Sequence, residues 1–294
     1  MAPPPPPSPS PQPMMMEPFF YRQPPPRSVH TRKVTAWNLR DELSRILSLM
    51  LRGFSFVAVD TQFPGIVHPH PRGAGITADD KYAAVKENAD ELCILQLGIT
   101  LSDADGRLPV DRVHGALVEF MWEFDFAGFD ACLHRHAPVS VEFLRSQGFN
   151  FEAARLVGVP ATAFAAELAF SGILGLSGLT WVTFGGMYDV AFLLKLVTGG
   201  APLPATRLDF LAQVGVLFGT QVFDGKHMAS LLHMHGGLTA VGEMLRLPPP
   251  QLPRRHMAGQ NSLMALQLFM ELRRRFFDLG GSLDSCSLQI EGLV

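Results

Sequence analysis

The stretch Phe54-Ser-Phe-Val-Ala-Val-Asp60-Thr-Gln62-Phe-Pro-Gly65 decides how this chain is read. Its short apolar, β-branched run reads as a buried strand. Pro64 and Gly65 end that strand in a turn. Side chains alternate along a strand, so Asp60 and Gln62 share one face at its end. A carboxylate there either caps the turn before Pro64 or projects from the strand end as a metal ligand.

Upstream, Leu39, Leu43, Ile46, Leu47, Met50 and Leu51 mark one face of a helix over 37–51, and Gly53 stops it. Downstream, a charged helix over 79–91 precedes a second strand at 93–101. A turn at Ala104-Asp-Gly106 leads towards a third strand, 118–126. Short connections between three strands predict an antiparallel start to a sheet. From Val139 the pattern turns helical, at 141–147, 152–157 and 162–170. One strand, Leu179-Thr-Trp-Val-Thr-Phe184, interrupts before helices at 188–196, 208–218, 237–245 and 263–276. The order predicts a mixed α/β domain with helices covering a sheet. It does not read as a regular βα repeat, and there is no G-x-G-x-x-G or P-loop.

The chain has 294 residues, 47% hydrophobic and 17% charged. That composition excludes wholesale disorder, and no apolar run reaches the roughly 20 residues of a membrane span. A net charge of −3 excludes a global basic field, so any nucleic acid must be held locally. Three scattered cysteines imply neither a disulfide framework nor a zinc site and suit a reducing compartment. Twelve of the 24 prolines fall within residues 1–26. Residues 1–28 therefore read as a disordered proline-rich tail, with an SH3 or WW ligand as a reading from composition alone. The domain is expected over 29–279, and 280–294 is expected to be a loose tail.

Two further places carry chemistry. Asp189 stands where the 179–184 strand gives way to a helix, either as a dipole-favoured carboxylate or as a second strand-end acid. His256-Met-Ala-Gly-Gln-Asn261-Ser262 leads into the last helix. There, Asn261 or Ser262 reads as an N-cap, and His256 as an ordinary loop histidine.

Taken together, Asp60-Thr-Gln62-Phe-Pro-Gly65, Trp181-Val-Thr-Phe-Gly-Gly-Met-Tyr188-Asp189 and His256-x-Ala-Gly-x-Asn261-Ser-Leu resemble the three exonuclease motifs of the Caf/Pop deadenylases. These are poly(A)-shortening subunits of the Ccr-Not complex. The resemblance extends to Val34-Thr-Ala-Trp-Asn38-Leu, Leu95-Gln-Leu-Gly98, Trp122-x-Phe-x-Phe126, Phe223-Asp224-Gly-Lys226 and the helix beginning at Gly236-Gly. It implies a ribonuclease-H-like fold, a mixed sheet flanked by helices, and a two-metal 3′–5′ exoribonuclease acting on poly(A). It also implies two Mg²⁺ or Mn²⁺ ions held by four carboxylates. By position, Asp60 and Asp189 are metal ligands, and His256 orients and deprotonates the attacking water.

At two of the four ligand positions the chain departs, with Gln62 for a glutamate and Asn261 for an aspartate. Shape is kept and charge is lost. Mg²⁺ prefers anionic oxygens, so weakened cation binding and impaired hydrolysis are expected. Gly185-Gly186, where a histidine and a serine are usual, and Gly225 read as drift in a natural paralogue rather than a substrate-trapping design. The resemblance implies poly(A) RNA, the large Ccr-Not scaffold subunit and the second, nuclease-type deadenylase as partners. It implies neither membrane nor DNA, and it places the protein in nucleus and cytoplasm. The alternative is a non-catalytic interaction subunit of the same complex. His68-Pro-His70, His134-Arg-His136 and His233-Met-His235 lack a completing cluster and read as loop histidines. Arg273-Arg-Arg275 reads as the polar face of the last helix.

Overall fold

The structure, a computed structural model, describes residues 28–248, 257–278 and 283–294. The expected tail at 1–28 and His256 therefore lie outside the described residues, apart from Ser28.

Strand β1 (Val29–Val34) leads into α1 (Leu39–Met50), then β2 (Phe56–Gln62), α2 (Ala78–Glu91) and β3 (Gln96–Ser102). The hairpin of β4 (Val110–Val113) and β5 (Ala116–Asp125) follows. Next come α3 (Pro138–Ser146), α4 (Phe151–Val157) and α5 (Ala161–Ser171). After β6 (Thr180–Thr183) come α6 (Met187–Val197), α7 (Arg207–Phe218), β7 (Val222–Asp224), α8 (Gly225–Leu231), α9 (Leu238–Met244) and α10 (Ala258–Leu272). Helix starts are set chemically. Thr77 and Asp80 form a reciprocal capping box at α2, while the Asn150 and Thr206 side chains cap α4 and α7.

Sheet order is β1-β5-β3-β2-β6-β7, with β4 paired to β5. The antiparallel start holds, since β2 runs antiparallel to β3 and β3 to β5. On its other side β2 pairs parallel with β6, and β6 with β7. This five-strand core, β5-β3-β2-β6-β7, is the order and orientation of a ribonuclease-H-like sheet. Three strands escaped the sequence reading. β1 is an edge strand with four consecutive polar residues between two valines, β4 is only Asp111 and Arg112 between two valines, and β7 is only three residues long.

Period-two alternation divides the core between the two faces of the sheet. Val57, Val59, Trp122 and Phe124 meet Leu43, Ile46, Phe164 and Phe192 on one face. Ala58, Met121, Val182 and Phe223 meet Leu263, Leu266 and Phe269 of α10 on the other. By that parity Asp60 and Gln62 lie on the α10 face.

Across that face Asp60 is opposite Gly98, Gly98 opposite Glu123, and Glu123 beside Lys33 in register. Gly98 is where α10 lands. A Cβ at that position would run into the Ala258 carbonyl and the Gly259 nitrogen. Gly98→Ala is therefore expected to lift the first turn of α10 off the sheet, costing about 3 kcal/mol or more by overpacking. A thermal unfolding midpoint equal to that of the wild type would contradict this.

The carboxyl-terminal segment is not the loose tail expected. Cys286, Ile290 and Leu293 are buried. Leu288 N–H donates to the Val222 carbonyl at 2.8 Å, and Arg207 Nη1 to the Leu293 carbonyl at 2.7 Å. The segment lacks helical periodicity because it binds through backbone groups and isolated apolar side chains. The last helix also starts earlier than expected, at Ala258, so Asn261 lies within its first turn and the N-cap is Met257.

Candidate active site

Three elements converge at the end of β2. Asp60 comes from the strand itself, Asp189 from the first turn of α6 and Asn261 from the first turn of α10. Gln62 Nε2 donates to Asp60 Oδ2 at 3.0 Å, and Asn261 Nδ2 donates to the same oxygen at 3.3 Å. Asp189 Oδ1 accepts from the Thr61 backbone N–H and hydroxyl, both at 2.7 Å. Four of the five residues singled out from sequence thus meet at one point, while His256 lies outside the described residues.

Burial governs the charge of this cluster. Asp60 is held well above the ordinary carboxylate range by desolvation and by the neighbouring Asp189 carboxylate, against the two amide hydrogen bonds. Asp189 is pushed up to about 7 by burial, with the charge of Asp224 adding to it and the Thr61 hydrogen bonds opposing. Two neighbouring buried carboxyl groups of this kind titrate as a pair.

Two residues that the sequence reading gave no role hold the frame. Asp224, fully buried, accepts from Gly185 N–H at 2.7 Å, Gly186 N–H at 2.9 Å, Lys226 N–H at 2.9 Å and Glu291 N–H at 3.1 Å. One carboxylate thereby fixes the turn that aims Asp189, the start of α8 and the carboxyl-terminal segment. That turn also accounts for its two glycines. Gly185 has φ +67°, and a Cβ on Gly186 would collide with the Thr183 hydroxyl.

Glu123 accepts from Gly259 N–H at 3.2 Å and pairs with Lys33, while Gln96 Oε1 accepts from Ala258 N–H at 2.8 Å. The sheet thus caps α10, whose own N-cap side chain makes no cap hydrogen bond. The sequence signal for Glu123 is its place with Asp125 on one face of an apolar strand, Val-Glu-Phe-Met-Trp-Glu-Phe-Asp-Phe.

Comparison with known proteins matches the profile described as CAF1 family ribonuclease over residues 34–169. Over 265 residues, 89% of this chain and 74% of the relative, the sequence is 36% identical to poly(A) ribonuclease pop2 of Schizosaccharomyces pombe. This chain belongs to the CAF1 family of ribonucleases. Among solved structures it resembles the Mg²⁺- and Mn²⁺-bound form of S. pombe Pop2p, at 34% identity and TM-score 0.77, over 90% of this chain and 99% of that one. It also resembles CAF1 as co-crystallized with the yeast NOT1 MIF4G domain, at 26% identity and TM-score 0.67, over 86% and 91%. The mixed sheet flanked by helices is accordingly ribonuclease-H-like.

The cations named for the S. pombe structure set a test for the residues found here. Two CAF1-type cations need a set of anionic oxygens. Among the described residues, no group of three or more His, Cys, Asp or Glu side chains converges to hold a metal. At Asp60, moreover, both amides present N–H rather than C=O. This donor set does not fit a pair of divalent cations.

Other singled-out groups have structural partners. Arg274 and Arg275 pair with Glu271, and Arg273 pairs with Asp278 and lies over the Phe56 ring. His70 is not a free loop side chain, since its Nε2 lies 2.9 Å from the Tyr188 hydroxyl. Among the described residues no helix is long and apolar enough to cross a membrane.

Proposed function

We propose that this chain is a poly(A)-directed 3′–5′ exoribonuclease subunit of the Ccr-Not complex whose hydrolytic step is strongly curtailed. The observation that carries the reading is the meeting of Asp60, Asp189 and Asn261 at one strand end, in a chain 36% identical to a poly(A) ribonuclease. His256 is assigned the water-orienting role, and Asp60 and Asp189 the positions facing the scissile phosphate. RNA enters this local site, because a chain of net charge −3 offers no broad basic face. The paired arginines of 273–275 do not extend it.

Assembly with the large scaffold subunit is supported by the NOT1 co-crystal of a CAF1 relative. Docking there uses helical surface away from the cluster, where Trp37 before α1 and Phe170 on α5 stand 85% and 88% exposed. A second, nuclease-type deadenylase completes the assembly, and nucleus and cytoplasm are the compartments proposed. The alternative reading, a non-catalytic interaction subunit, is favoured by the amide hydrogen bonds on Asp60.

The test is purified full-length chain with 5′-labelled oligo(A)-tailed RNA in Mg²⁺ or Mn²⁺, beside S. pombe Pop2p. A slow ladder of shortened tails is expected, roughly a hundredfold or more below that enzyme, because a lost cation removes several kcal/mol of transition-state stabilisation. A normal rate abolished by Asp60→Asn would overturn the impairment. Absence of any preference for oligo(A) ends would overturn the substrate reading.

A further inference from the structure

We propose that Gln62 and Asn261 convert Asp60 from a cation ligand into the acceptor of a closed hydrogen-bonded clamp, so that the folded chain neither needs nor takes up a divalent cation there. The inference starts from which atoms face one another. Both amide nitrogens point at Asp60 Oδ2, at 3.0 and 3.3 Å, one from the same strand and one from α10. A carboxylate oxygen accepts along two lone-pair directions, and two donors reach this one. Asp189 Oδ1 is filled in the same way by the Thr61 N–H and hydroxyl. A cation approaching Asp60 Oδ2 would meet two N–H groups, the positive ends of their dipoles.

Ligation through the amide oxygens would require both side chains to turn over. With the cation absent, Asp60 would then face two carbonyl oxygens. Carboxylates at 62 and 261 would have the opposite character, crowding anionic oxygens around Asp60 in a desolvated place where only a cation could compensate them. The two amides thus exchange cation dependence for a direct tie between the end of β2 and α10. That tie reinforces the contact made where Ala258 sits on Gly98.

This inference concerns the same site as the proposed function but not the RNA it receives. Failure of the substrate reading would appear as lost oligo(A) preference, whereas failure here would appear as cation uptake.

The experiment uses the full-length chain in two measurements. Thermal unfolding is followed in EDTA, in Mg²⁺ and in Mn²⁺, and Mn²⁺ uptake is titrated by electron paramagnetic resonance of the free ion. The wild-type midpoint is expected to move by no more than about 1 °C among the three conditions, since a ligand that does not bind gives no linkage. The double variant Gln62→Glu with Asn261→Asp is expected to melt lower in EDTA and to gain several degrees with saturating Mn²⁺. If the double variant does not fold without metal, the wild-type titration decides alone. No uptake, or uptake unchanged by Asp60→Asn, supports the clamp. Stoichiometric uptake at sub-millimolar Mn²⁺ that Asp60→Asn removes overturns it.

Discussion

Replacing Gln62 by glutamate and Asn261 by aspartate together is expected to raise oligo(A) shortening by roughly a hundredfold or more over the unmodified chain. A Lewis-acidic cation supplies several kcal/mol to a phosphodiester displacement, and each 1.4 kcal/mol is tenfold in rate. Either change alone is expected to yield much less. Gln62→Glu leaves Asn261 Nδ2 donating to Asp60 Oδ2, and Asn261→Asp leaves Gln62 Nε2 doing so. The cluster is then half released and still short of one anionic oxygen donor. Groups that act on one ion are not additive, so the gain of the pair exceeds the product of the single gains. The measurement is initial deadenylation rate for the four members of the cycle at fixed Mg²⁺. Equal rates for all four would place the limit elsewhere in the chain, with the Gly185-Gly186 turn or His256 next to be changed.

The residues of this site were legible because strand ends advertise themselves. An apolar run closed by Asp60 and Pro64 leaves few places for the carboxylate, and period-two alternation put Gln62 beside it. Asp189 was legible for the same reason at the end of β6. The direction of the amides was not. Sequence shows that charge is lost at 62 and 261, but that both N–H groups converge on one oxygen depends on α10 resting on Gly98.

Asp224 and Glu123 were missed for a different reason. Asp224 takes three of its four backbone N–H donors from distant segments, and Glu123 takes the distant Gly259 N–H beside its Lys33 pair; a backbone donor leaves no side-chain signature. β7 is too short to show a period, and the carboxyl-terminal segment shows none, yet the two pair through Leu288 N–H and Val222 C=O.

Asp224→Ala is expected to cost about 3–5 kcal/mol. A fully buried carboxylate that serves four backbone N–H groups cannot be removed without leaving those donors unpaired, at about 1–3 kcal/mol for each that water does not reach. For a domain of this size that lowers the unfolding midpoint by roughly 10 °C. Asp224→Asn should fall between, because its amide oxygen can still serve Gly185 and Lys226 while its NH₂ opposes the Gly186 and Glu291 donors. Loss should not stop at stability. In the Gln62→Glu, Asn261→Asp background, Asp224→Asn is expected to reduce the oligo(A) rate while folded protein is still the major species, since the loosened Gly185-Gly186 turn no longer aims Asp189. A stability loss with an unchanged rate per folded molecule would make Asp224 a packing residue only. A rate loss that a cut before residue 283 reproduces would tie the carboxyl-terminal segment to the site through the Glu291 N–H. The same carboxylate would then hold Asp189 in place and make that placement depend on the far end of the chain.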